Sequence, residues 1–127
     1  MEYLFLIYSE ESREPRPGTK EFSDSLEARL AFQEGLKAKG ILRRSAVLQP
    51  VATATTVRVR GGKPQTTDGP FAETEEQLGG FYVLSCRDLD EALDYAARIP
   101  EATHGAVEVR PIRRFDERAG VRESCLD

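Results

Sequence analysis

DGPFAETEEQLGGFYVL, residues 68–84, passes from a turn through a short polar connection into a strand with almost no slack between them. Asp68 can hydrogen-bond the backbone ahead of it, Gly69 tolerates dihedrals closed to other residues, and Pro70 holds φ near about −65°. Thr74 and Gln77 stand at capping-box spacing, so one or two helical turns are predicted before Gly79-Gly80 releases the chain. Phe81, Tyr82, Val83, Leu84 and Cys86 then place apolar side chains on both alternating faces. That is the pattern of a strand covered on both sides, and therefore of a central strand.

Working outward, TTVRVR at residues 55–60 alternates cleanly into Gly61-Gly62, which suits a type I′ hairpin turn, and residues 63–67 form the return arm that delivers Asp68. YLFLIY at residues 3–8 is again apolar on both faces and predicts a second central strand. Between these segments a helical pattern begins at Phe22 behind Ser23 or Asp24 as cap, shows an apolar face of Phe22, Leu26, Leu30, Phe32 and Leu36, and closes at Gly40. Residues 41–47 read as extended. Beyond Cys86, Asp88 caps a second helix with Glu91 three residues on; Leu89, Leu93, Ala96 and Ala97 make its stripe, and Ile99-Pro100 ends it. In residues 106–110, Val107 and Val109 alternate with Glu108 and Arg110, as in an edge strand.

The order strand, helix, hairpin, strand, helix, strand predicts an α+β fold, a ferredoxin-like split βαβ with an inserted β-hairpin. Two helices cover only one face of such a sheet, while both central strands are apolar on two faces, so the uncovered face calls for a partner and a homodimer joined sheet to sheet is expected. Residues 113–127 are mostly charged and predict a tail, either a short exposed helix or disordered, so the domain is drawn at 1–112.

At 127 residues the chain is long enough for one domain with a core of its own. Lysine and arginine total 18 against 22 acidic residues, and the resulting net charge of −4 repels a phosphate backbone, so nucleic acid is not an expected partner. The longest apolar run, residues 4–8, falls far short of the roughly 20 residues that cross a bilayer; no membrane association is expected, and the chain is read as cytoplasmic. With two cysteines, no CxxC and a single histidine, neither a metal site nor a disulfide framework is predicted, and no motif calls for a cofactor.

Residues 68–82, with YLFLIYSEE at the start, ATATTVRVR before the turn, LDEALDYAARIP after it and VEVRPI at the close, resemble the YciI-related DGPF-domain family in the family's own order. The resemblance covers residues 1–112 and implies a ferredoxin-like dimeric α/β barrel in which two sheets face each other. Members are mostly uncharacterised; the resemblance implies either enzymes acting through a His-Asp pair or association with extracytoplasmic-function sigma factors. Only the Asp of that pair has a counterpart here, Asp68, because the single histidine, His104, stands just before the last strand and not in the N-terminal half.

Asp68 is the leading candidate for a general base or ligand acceptor, against its plainer role as a turn cap. Glu73 and Glu75 can line the same opening, although acidic residues ahead of a helix also follow from its dipole. Tyr8 and Tyr82 sit on the two central strands and can present hydroxyls to a pocket or pack in the core. Arg58 and Arg60 share one side of a strand and suit an anionic ligand or a solvated face. His104 is read as a loop residue, exposed or capping. Two functions are expected from these residues: a small-molecule pocket near the DGPF turn, with Asp68 catalytic in cofactor-independent acid-base chemistry and Tyr8, Arg58, Glu73 and Tyr82 binding the ligand, or a non-catalytic regulatory module acting with a sigma factor.

Overall fold

In the computed structural model, residues 1–116 and 120–122 are described. The central sheet has strands β1 (Glu2–Ser9), β2 (Leu42–Val47), β5 (Gln77–Ser85) and β6 (Ala106–Pro111) in the order β2-β5-β1-β6. All neighbouring pairs are antiparallel, with Phe5 opposite Tyr82 and Val109. Helices α1 (Lys20–Ala38) and α2 (Leu89–Arg98) complete a mixed α+β fold consistent with the ferredoxin-like one. Strands β3 (Thr55–Arg60) and β4 (Lys63–Asp68) pair only with each other, through a turn in which Gly61 and Gly62 both have positive φ.

Alternation along β1 and β5 decides which face is the core. Tyr3, Phe5 and Ile7 are buried with Tyr82, Leu84 and Cys86, and Leu36 of α1 and Ala92, Tyr95 and Ala96 of α2 close over them. Leu4, Leu6 and Tyr8 of β1 and Phe81 and Val83 of β5 are half-buried and lie on the opposite side of the sheet. Val107 and Val109 of β6 face the core, as the edge-strand pattern predicts.

Several local expectations are corrected. Helix α1 starts earlier, because Thr19 rather than Ser23 or Asp24 accepts the Phe22 N–H. Its sheet side is Phe22, Arg29, Phe32, Gln33 and Leu36, whereas Leu30 is 51% exposed. On α2 the buried residues are Ala92, Tyr95 and Ala96, and Leu89 and Leu93 stay about half exposed. Two alanines let the helix approach the sheet closely, while Tyr95 supplies the apolar area and meets Lys39 and Arg98 over its ring.

The helical turns expected after Thr74 are absent; Gln77 does reach back, its Nε2 donating to the Thr74 and Glu75 carbonyls, but the segment stays irregular. Strand β5 begins at Gln77, before the two glycines. The β1–β5 register shifts between Ile7 and Tyr8, where Ile7 faces Gly80 and Tyr8 faces Leu78. In the tail, β7 (Arg114–Asp116) and β8 (Gly120–Arg122) pair antiparallel in place of the expected helix or disorder; the rest of the tail expectation lies outside the described residues.

A close backbone approach ties the C-terminal half to the end of β1. A Cβ on Gly105 would stand 2.1 Å from the Tyr8 carbonyl oxygen. Gly105→Ala is therefore expected to lose about 2 kcal/mol in urea denaturation. Gly35→Ala in α1, where nothing lies within 4 Å, is expected to gain about 0.8 kcal/mol.

Candidate functional site

Where β1 runs out, the sheet, the start of α1 and three connections enclose a half-open cleft of about 390 Å³. Ile7 and Ser9 lie along the β1 side. Phe22, Leu26 and Arg29 come from α1, one turn apart, Val47 ends β2, and Leu48 and Pro50 come from the connection after it. Gln77 and Gly79 close the β5 side; Glu11, Glu14 and Pro15 follow β1 across it. The walls are mostly apolar, with the polar groups few and localised, as in small-molecule sites.

The deepest charged group is Glu101, only 7% exposed. It lies in the 3-10 turn Pro100–Thr103, whose geometry follows from Pro100 at its first position and from the Gly105 N–H donating to the Glu101 carbonyl at 2.7 Å. Arg29 Nη2 donates to Glu101 Oε2, an ion pair between residues 72 apart in sequence. A buried carboxylate requires such a partner, since removing a charge from water without one is strongly unfavourable. The guanidinium has further N–H groups and lines the cleft.

Tyr82 lies behind this pair, edge-on to Phe32 with ring centroids 5.7 Å apart. Burial pushes its phenol above the usual value of 10.0, with the Arg29 charge opposing and the Glu101 charge adding to the rise. It therefore keeps its proton at neutral pH.

Side chains also fix the cleft's outer wall. The Glu11 N–H donates to Gln77 Oε1, Glu11 Oε2 accepts the Val51 N–H, and Glu14 Oε1 lies 3.3 Å from His104 Nε2. Among the described residues no group of three or more His, Cys, Asp or Glu is placed to hold a metal ion.

The residues singled out from the sequence do not meet in one chain. Asp68 ends β4 opposite Thr55, exposed and outside the cleft lining. Its turn is held by the Gly69 N–H donating to the Ala54 carbonyl and Thr56 Oγ1 donating to the Gly69 carbonyl. Arg58 is exposed on β3 with its guanidinium carbon 4.9 Å from the Phe71 ring centroid, and Glu73 is exposed in the following connection. Tyr8 and Tyr82 point to opposite faces of the sheet, Tyr82 into the core and Tyr8 away from it. Arg29 and Glu101 were missed. The readable signal was a charge at a sheet-facing helical position, since Phe22, Arg29, Phe32 and Leu36 share one stripe.

The profile of the YCII-related domain matches residues 1–116. The chain belongs to that family. An uncharacterised protein of Rhizobium meliloti (strain 1021) is 40% identical to this YCII-related chain over 117 residues, which is 91% of the chain and 94% of that protein. Among solved structures, 5-chloro-2-hydroxyhydroquinone dehydrochlorinase (TftG) from Burkholderia phenoliruptrix AC1100, in complex with 2,5-dihydroxybenzoquinone, superposes with a TM-score of 0.49 at 18% identity, covering 93% of this chain and 98% of that one.

Arg29→Ala leaves the Glu101 carboxylate buried without its cation and is expected to lower unfolding stability by about 3 kcal/mol. Adding Glu101→Gln should restore part of that loss, because no charge is then stranded. A loss in the double variant equal to the sum of the Arg29→Ala and Glu101→Gln losses, measured in urea, would show that the two side chains are not coupled.

Proposed function

We propose that this YCII-related protein binds a small molecule in the cleft at the end of β1, and that Arg29 and Glu101 are its chemical centre. The observation that carries this reading is the burial of Glu101 against an arginine that itself lines an apolar cleft. A stabilising core position would hold apolar side chains of similar volume at least as well, so a buried ion pair beside a cavity is a functional-site signal. Arg29 donates N–H groups to an oxygen of the ligand, Phe22, Leu26, Val47 and Leu48 hold its apolar part, and Glu101 is placed to take up a proton from the bound molecule. Acid-base chemistry needing no cofactor fits these groups. Asp68 has no part in it within one chain.

A thermal-shift screen of the pure protein against a metabolite library tests this. A true ligand at 100 times its dissociation constant stabilises the fold by about 2.7 kcal/mol, roughly 10 °C here, and the shift is expected to shrink in Glu101→Gln. A library without effect on the wild type overturns the ligand reading and favours a non-catalytic regulatory module contacting a protein such as a sigma factor. That second reading is supported by the β3–β4 ribbon and the turn after it, which expose Val57, Val59 and Phe71.

The protein is further proposed to work as a homodimer, with Leu4, Leu6, Phe81 and Val83 meeting their counterparts sheet to sheet in the manner of a dimeric α/β barrel. Sedimentation velocity at micromolar concentration should show twice the chain mass, and Leu6→Asp should halve it. A wild-type monomer would overturn the proposal.

A further inference from the structure

The segment that crosses the cleft between β1 and α1 is held almost entirely by polar fastenings. It contains the 3-10 turn Glu11–Arg13, which has no buried residue. The turn is internally stiff: the Arg13 N–H donates to the Glu10 carbonyl at 3.0 Å, the Glu14 N–H to the Glu11 carbonyl at 3.2 Å, and the Arg13 and Glu10 side chains form an ion pair. Its attachments to the body come from three distant places in the sequence. Gln77 accepts the Glu11 N–H, the Glu11 carboxylate accepts the Val51 N–H, and the His104 ring pairs with Glu14. Between this turn and α1, Gly18 has φ of +90° with nothing within 4 Å of a Cβ there, so the chain can pivot at that point without steric conflict.

We propose that residues 10–15 form a strap that opens and closes the cleft as one piece, and that the Glu14–His104 pair is its latch. The location of the latch supports this assignment. Glu14 lines the cleft, while His104 stands in the body immediately after the turn that carries Glu101. The imidazole Nδ1 lies 3.4 Å from Thr103 Oγ1, which leaves Nε2 to face Glu14. The neighbouring charges Arg29 and Glu101 are paired with each other. An element fastened by a few partly exposed hydrogen bonds, with Pro15 as its one half-buried apolar side chain, opens at far lower free energy than the sheet beneath it. Its opening therefore admits solvent and ligand to Ser9 and Glu101 without unfolding the core. His104 is thus a positioning residue, acting through Glu14 on access to the cleft. The consequence for ligand exchange rests on the function proposed above, whereas the opening itself is measurable with no ligand present.

Ser9 is buried at 8% exposure and lines the cleft, so Ser9→Cys in a Cys125→Ser background reports entry. The native Cys86 is buried with its thiol pushed up to about 11, chiefly by that burial, and stays unreactive at pH 7.5. Labelling the introduced thiol with 4,4′-dithiodipyridine should accelerate about two- to fivefold when His104→Ala is added, the factor set by one partly exposed hydrogen bond. Glu14→Gln, which keeps an acceptor for the imidazole, should give a smaller rise. Hydrogen exchange of the otherwise wild-type His104→Ala protein should speed up at residues 11–15 by a similar factor with β1 and β5 unchanged, which also covers the case that Ser9→Cys misfolds. An unaltered labelling rate, or an exchange increase spread equally over β1 and β5, would overturn the strap. Failure of every compound in the ligand screen would leave these measurements intact and remove only the proposed function.

Discussion

The pairing of β1 with β5 constrains everything else in this molecule. Each strand carries apolar residues at every position through its middle, so whichever face the helices cover, a second apolar face remains. The register that sets Phe5 against Tyr82 and Leu6 against Phe81 sends Tyr3, Phe5, Ile7, Tyr82 and Leu84 to the helices and Leu4, Leu6, Phe81 and Val83 to the other side. One slip of register would exchange the two sets. The irregularity between Ile7 and Tyr8 absorbs an extra residue at Gly79, just where β2 crowds Gly80 so closely that a Cβ would lie 2.8 Å from the Ala46 carbonyl oxygen. The central pair thus loses its regular ladder at one end, and the cleft opens there, with Gly79 in its lining.

Charge is used differently at the two ends of the site. At its deep end Glu101 and Arg29 neutralise one another under partial cover, a pairing that hydrophobic packing alone would not require. At its outer edge Glu11 and Glu14 hold a short exposed segment in place through single hydrogen bonds. The deep pair has low exposure, and the outer contacts are individually weak. Such a division agrees with the proposed site and strap, in which the chemical groups stay fixed while the outer wall opens.

The elements most legible in the sequence were those set by short-range chemistry. The two central strands, the Gly61-Gly62 hairpin turn and the Asp88 cap all appear where local pattern places them, the last with Asp88 Oδ1 accepting the Glu91 N–H at 2.9 Å. Helix faces were less legible. On α2, Leu89 and Leu93 compete with Ala92, Tyr95 and Ala96 as an apolar stripe, and nothing local decides between them; the small alanines win because they allow the helix to sit close to the sheet. On α1, counting Leu30 into the buried face obscured Arg29, whose charge at a sheet-facing position is meaningful only once Glu101 is known to lie beneath it.

Alternation and turn chemistry in the sequence alone determined that residues 3–8 and 81–86 are the central strands and that residues 55–67 form a hairpin, because each of these depends on residues within a few positions of one another; the order of several motifs along residues 1–112 carried the resemblance to the YciI-related family. Tertiary structure alone brought together the residues of the candidate site. Arg29 meets Glu101 across 72 residues, and Glu14 meets His104 across 90. DGPF remains a turn and family mark, held by the backbone of Ala54 and the hydroxyl of Thr56. Contacts at such separation depend on strand order and on the pitch at which helices lie over a sheet, and local pattern encodes neither.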